Sequence, residues 1–96
     1  MSAVFKALSP PARRRIVEML RDRPMASGEI AAEFDMAWPT VTGHLTALKD
    51  AGLVEAERDG ASIRYRLNIS AVEEAIAFLL ELMDRRPLPA EKASEA

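Results

Sequence analysis

His44 is the only histidine of this 96-residue chain, and there is no cysteine. Those two facts remove most catalytic chemistry. Without thiols there is no disulfide, thiolate zinc site, iron–sulfur cluster or thiol nucleophile. No Ser/Asp pair has triad spacing around His44, and no paired carboxylates or glycine-rich phosphate loop stand out. The chain does not read as an enzyme. A transition-metal site would rest on carboxylates, a poor ligand set, and no cofactor is expected.

The informative chemistry lies in residues 38–50. Val41, Leu45 and Leu48 recur at i, i+4 and i+7, the apolar stripe of a helix. The opposite side carries Pro39, Thr42, Gly43, Thr46, Ala47 and Asp50, with Thr40 alongside. It is small and almost uncharged. A helix of this kind suits a DNA major groove ~12 Å wide, where threonine offers base edges both a hydroxyl and a methyl. Gly43 costs roughly 1 kcal/mol against Ala in a helix interior, which at this point of the exposed side suggests close approach to a partner. The alternative is a solvated face that merely tolerates Thr and Gly. His44, at the edge of the stripe, is placed either to bond a phosphate or to pack at the boundary. Trp38, at the helix entrance, either staples onto the preceding segment or stacks on sugar and phosphate. Lys49 is within reach of backbone phosphate, and Asp50 marks where the helix leaves the groove.

Positioning these residues takes a scaffold. Ser9-Pro10-Pro11-Ala12 predicts a helix capped by Ser9 with Pro10 in the first helical position. Its stripe is Ala12, Ile16, Val17 and Leu20, and it ends near Asp22-Arg23-Pro24. Val4, Phe5 and Leu8 predict a short helix before it. A segment from Ser27 to Phe34 places Ile30, Ala31 and Phe34 on one face, then turns at Asp35-Met36-Ala37. The helix starting near Trp38-Pro39 stops at Gly52. The period then changes to two: Leu53-Val54 opens a strand, Asp59-Gly60 signals a hairpin, and Ile63, Tyr65 and Leu67 alternate with polar residues. Asn68 or Ser70 caps a last helix from about Ala71 to Arg85, ended by Pro87 and Pro89. This order is that of a winged helix-turn-helix, mainly α with a small β-hairpin (α-α-α-α-β-β-α). Residues 1–86 form one DNA-binding and dimerisation domain, and 87–96 are expected to be a disordered tail.

These residues resemble the ArsR/SmtB family of bacterial winged-helix repressors. The resemblance runs from Val4 to about Asp84. It is carried by Phe5-Lys6-Ala7-Leu8-Ser9 with Pro11, Arg13-Arg14-Arg15-Ile16, Gly28-Glu29-Ile30-Ala31, Pro39-Thr40-Val41-Thr42-Gly43-His44-Leu45, Leu48, Ala51-Gly52-Leu53-Val54, Asp59-Gly60 and Tyr65-Arg66-Leu67. The opening Val4-Phe5-Lys6-Ala7 and the metal-free character look most like the SdpR-type autorepressor branch. The resemblance implies a homodimer on a double-stranded DNA operator of near-palindromic sequence. It puts Trp38, Thr40, Thr42, Gly43, His44 and Thr46 at groove-facing positions, and Arg58, Arg64 and the Asp59-Gly60 tip on the wing. Ala37 departs from the Ser or Thr usual in relatives, so the recognition helix lacks a side-chain cap. Trp38 and Gly43 also depart, and bear on operator sequence. Metal-sensing relatives use a Cys cluster on the first helix of the helix-turn-helix, or Asp/His/Glu ligands on the last helix. Here the first set holds Ala31 and Glu33, and the last helix has Glu73, Glu74, Glu81 and Asp84 with no His. No metal site is expected.

In the last helix, Val72, Ala75, Ile76, Phe78, Leu79, Leu80, Leu82 and Met83 spread over roughly 200°, against the ~100° that covers one core. The surplus calls for a second surface, and a symmetric dimer is the commonest solution. Val4, Phe5 and Leu8 are expected to join Val72, Ala75, Phe78, Leu79, Leu82 and Met83 at that interface.

The formal net charge is −2, and it conceals a partition. Residues 9–24 carry +3, residues 25–37 carry −3, residues 38–69 balance, and residues 70–96 carry −3. DNA contact therefore relies on a thin basic edge, chiefly Arg13, Arg14, Arg15 and the wing, which predicts a shallow salt dependence. The acidic balance and Asp50 also suit a second reading, a winged-helix module that binds protein rather than DNA. No apolar run approaches the ~18–20 residues of a membrane span, so no membrane insertion is expected and the cytoplasm is the default location. For control, the sequence leaves open a protein partner, a small-molecule effector at the dimer seam, and plain autoregulation.

Overall fold

The computed structural model describes residues 2–85. Their order is α1 (Ser2–Ala7), α2 (Pro11–Asp22), β1 (Met25–Ala26), α3 (Ser27–Ala31), α4 (Trp38–Asp50), β2 (Val54–Asp59), β3 (Ser62–Leu67) and α5 (Ile69–Arg85). This is the winged helix-turn-helix order, with one addition. The expected two-stranded hairpin is a three-stranded antiparallel sheet, ordered β1-β3-β2, because Met25 pairs with Tyr65 and Ala26 with Arg64. Two residues are too few for an alternation of period two to register in the sequence.

The core is aliphatic. Ile16 and Leu20 of α2, Ile30 of α3, Val41, Leu45 and Leu48 of α4, and Leu53 and Val54 at the wing root are all buried. No polar or charged side chain is buried among the described residues.

Three expected boundaries shift. α2 starts at Pro11 rather than Pro10, and Ser9 does not cap it. Pro10 precedes another proline, which disfavours helical backbone, and it sits extended at φ −71°, ψ 135°. α3 ends at Ala31, so Phe34 packs on the core from the turn rather than from a helix. α5 begins two residues early, at Ile69. Asn68 Oδ1 accepts from the Ala71 N–H at 3.4 Å, in keeping with Asn68 rather than Ser70 as its cap. The tail 87–96 and its prolines lie outside the described residues.

α4 ends as its glycine predicts. Gly52 adopts φ 81°, the Leu53 N–H bonds Leu48 O at 3.0 Å, and the Gly52 N–H bonds Lys49 O at 2.9 Å. That pair of bonds is a Schellman motif. Asn68 then locks the exit of the hairpin to this point: its N–H bonds Leu53 O and its Nδ2 bonds Gly52 O, both at 2.9 Å. Wing and α4 are thereby held at one fixed root.

Candidate nucleic-acid interface

α4 separates its residues as the periodicity predicts. Val41, Leu45 and Leu48 are no more than 2% exposed, while Pro39, Thr40, Thr42, Gly43 and Thr46 lie open to solvent. Ala47 and His44 are half-buried at the margins. Among the described residues nothing stands within 4 Å of a Cβ built on Gly43, so none of them demands a glycine there. At the entrance Ala37 is the N-cap, with no side-chain bond to the helix, and Pro39 occupies the first turn.

Trp38 packs against the preceding segment and still keeps much of its surface in solvent. Its indole lies 3.5 Å from where a Gly28 side chain would begin, so it packs on α3, yet 55% of it remains exposed. Met36 is exposed beside it in the sequence. The result is an apolar shoulder at the mouth of α4.

The three consecutive arginines of α2 diverge, as helical residues 100° apart must. Arg13 Nε donates to His44 Nδ1 at 3.1 Å and ties α2 to α4. Arg14 Nη1 donates to Leu8 O at 2.9 Å and Ser9 O at 2.7 Å, closing the carbonyl end of α1. Arg15 lies 3.7 Å from Glu33 and 5.8 Å from the centre of the Phe34 ring, holding the turn after α3. The expected basic edge is thus three separate tethers. Arg13 keeps its terminal nitrogens without a partner among the described residues, whereas Arg14 is committed to the carbonyls of Leu8 and Ser9.

The wing divides its charges by face. In β2, alternation puts Val54, Ala56 and Arg58 on the side that enters the core, opposite Leu67, Tyr65 and Ile63. On the other side Glu55, Glu57 and Asp59 stand opposite Arg66, Arg64 and Ser62. Arg66 pairs with Glu55 at 2.9 Å and Glu57 at 3.9 Å, and Arg64 Nε bonds Asp59 Oδ2 at 3.2 Å. On that outer face both arginines are paired with carboxylates, and three carboxylates against two arginines leave it slightly acidic. Arg58 extends the core-side face beyond the core, and its side chain has no hydrogen bond or ion pair among the described residues. The same holds for Lys6 and Lys49. Gly60 turns the tip at φ 67° as the first of two loop residues, a position reserved for glycine in a II′ turn.

Of the expected interface residues, Val4 belongs to the protomer's own core, and Leu8, Val72 and Ala75 pack against it. Phe5, Phe78, Leu79, Leu82 and Met83 remain exposed, together with Ile76 and Leu80. Phe5 and Phe78 touch, with ring centres 5.9 Å apart, which joins α1 and α5 into one apolar surface. Among the described residues no group of three His, Asp or Glu could hold a metal ion, and no helix is long and apolar enough to cross a membrane.

Sequence reasoning missed the Arg13–His44 bond, which spans 31 positions, and the clamp by Asn68. Neither has a local signal. The opposition of Arg64 to Glu57 and Arg66 to Glu55, in contrast, follows from the hairpin register set by the turn.

Comparison with known proteins agrees with this architecture. The model of the bacterial regulatory protein, arsR family, matches residues 10–56, from the start of α2 into β2. The chain is 35% identical over 85 residues to the transcriptional repressor SdpR of Bacillus subtilis, covering 88% of this chain and 94% of the relative. An ArsR-like transcriptional regulator from Rhodococcus superposes with a TM-score of 0.81 at 27% identity, over 96% of this chain and 90% of that one. A homodimeric winged helix-turn-helix DNA-binding domain from Mycobacterium bovis gives 0.70 at 32% identity, over 93% and 82%. The chain therefore belongs to the arsR family of bacterial regulatory proteins: it is a winged helix-turn-helix transcriptional regulator.

Proposed function

We propose that this protein is a homodimeric repressor that reads a near-palindromic operator with α4 and grips the flanking backbone with the wing. The observation that carries the reading is the division of α4, whose aliphatic side is sealed in the core while Thr40, Thr42, Gly43 and Thr46 stand open. Short side chains let the helix sit deep in a major groove, and the threonines supply hydroxyls and methyls for base edges. Trp38 and Pro39 meet sugar and phosphate at the entrance, and Lys49 meets phosphate near the exit. On the wing, Arg58 is the phosphate contact, with the Gly60 tip beside the backbone.

The second copy covers the surface made by Phe5, Phe78, Leu79, Leu82 and Met83. The homodimeric neighbour from Mycobacterium bovis supports this, as does the excess of apolar side chains on α5. Two α4 helices related by a dyad would enter successive major grooves ~34 Å apart. Repression is supported by the likeness to SdpR. Such a protein would act in the cytoplasm, and it would need no metal or cofactor to bind DNA.

Fluorescence-anisotropy titration against the protein's own promoter region, repeated over a range of salt concentrations, tests the reading. Saturable binding at two protomers per site, tighter than to scrambled DNA and weakened by salt, is expected. Binding indifferent to sequence and salt would refute it.

A further inference from the structure

His44 is half-buried on α4, between the sealed face and the open one. Its Nδ1 accepts a hydrogen bond from Arg13 Nε at 3.1 Å. A guanidinium N–H is always a donor, so Nδ1 must present its lone pair. In a neutral imidazole the proton then sits on Nε2. That nitrogen has no hydrogen-bond partner among the described residues. Arg13 uses only Nε for this bond, and its terminal nitrogens have no partner among the described residues. The bond crosses from α2 to α4 and therefore fixes the ring by an element outside the recognition helix.

We propose that Arg13 is a positioning residue for the recognition helix: its bond to Nδ1 holds His44 as the Nε2–H tautomer, so that His44 meets DNA as a fixed hydrogen-bond donor. The inference rests on α4 being the DNA-reading helix. A donor at Nε2 suits a phosphate oxygen, guanine O6 or N7, thymine O4 or adenine N7, and is mismatched to the amino groups of cytosine and adenine. Without the tether, the imidazole could turn or exchange tautomer and offer an acceptor at the same place. Arg13 would thus act twice, with Nε on His44 and its terminal nitrogens toward phosphate.

The two roles separate by experiment. Because His44 is the only histidine, a histidine-labelled full-length protein gives one pair of imidazole nitrogen signals. At about pH 8.5, well above the ordinary histidine pKa, long-range proton–nitrogen correlation of the free protein should show a protonated Nε2 and a hydrogen-bonded Nδ1. In Arg13→Lys the Nδ1 signal should move to its free position. A proton on Nδ1 in the unmodified protein, or a signal unmoved in Arg13→Lys, would overturn the proposal.

On DNA, Arg13→Lys keeps the charge, so the salt slope should stay while affinity falls roughly a hundredfold, about tenfold for the hydrogen bond lost by each protomer of the dimer. In a His44→Ala background the same substitution should cost nothing further. Equal affinity for Arg13→Lys and the unmodified protein, or additive losses, would refute the coupling. If the unmodified protein bound no DNA, the reading of α4 would fail and the donor role with it. The nitrogen signals would still decide the tautomer.

Discussion

The sharpest consequence of the wing geometry concerns two arginines of the same hairpin. Among the described residues the Arg58 side chain on the core-side face has no partner, whereas Arg64 is bonded to Asp59 at 3.2 Å on the face where carboxylates outnumber arginines. Counterion release makes log K fall with log salt by about 0.9 per phosphate neutralised. In a dimer, Arg58→Ala removes one such contact from each protomer, so the slope should flatten by ~1.8. At about 0.15 M salt that corresponds to roughly thirtyfold weaker binding, near 2 kcal/mol. The loss should be similar for operator and unrelated DNA, because phosphate carries no sequence information. Removing the Arg64–Asp59 pair together, as Arg64→Gln with Asp59→Asn, deletes no net charge. Its slope should stay within about 0.5 of the unmodified protein. Anisotropy titrations at four or five salt concentrations measure both slopes. If the paired substitution flattened the slope as much as Arg58→Ala, or Arg58→Ala left it unchanged, the division of the wing by face would be refuted.

Three further outcomes follow from named contacts. With open space around it, Gly43→Ala should stabilise the fold by about 1 kcal/mol in urea unfolding, yet weaken operator binding if the groove approaches that closely. A variant equally stable or less stable would contradict the open geometry. Leu79→Glu places a charge in the exposed apolar surface of α5 without touching the protomer's own core. Sedimentation should then give the 10.6 kDa chain mass rather than twice that value, with the dimer weakened by at least about a hundredfold and the helical circular-dichroism signal retained. The third outcome concerns acid. The Ala26 N–H, bonded to Glu29 Oε1 at 2.8 Å, holds that carboxyl below the usual carboxylate range, and Arg23 adds to the effect. A depressed folded-state pKa gives stability that is present above the unfolded value, about 4.3, and lost as pH falls through the folded one. Melting temperature should therefore fall with pH below that value more steeply in the unmodified protein than in Glu29→Gln, and parallel curves would contradict it.

Most of the fold was legible because its signals are local. The stripe of Val41, Leu45 and Leu48, the stop at Gly52 and the turn at Gly60 each lie within a few residues of the structure they cause. What was not legible depends on distance. β1 exists only because Met25 and Ala26 meet Tyr65 and Arg64 of β3, far along the chain. Arg13, Arg14 and Arg15 read in sequence as a basic edge for phosphate, but each also has a partner elsewhere in the fold, in α4, in the link after α1 and in the turn after α3, and only the packed helices reveal which. The same holds for α5. Its apolar excess was readable, whereas the division between Val72 and Ala75 turned inward and Leu79, Leu82 and Met83 left outside depends on how α5 crosses the core. In the candidate site, residue types identified the open face of α4, while the free state of Arg58 and the tied state of Arg64 came from strand register.

Selection of bound fragments from sheared genomic DNA, run in parallel for the unmodified protein and Thr42→Ala, tests the central claim most directly. Enrichment of an inverted repeat with half-sites about one helical turn apart is expected, with a relaxed preference at matching positions of both half-sites for Thr42→Ala. Enrichment of no common sequence, or of the same sequence with unchanged preference in Thr42→Ala, would contradict the assignment of α4 as the helix that reads DNA.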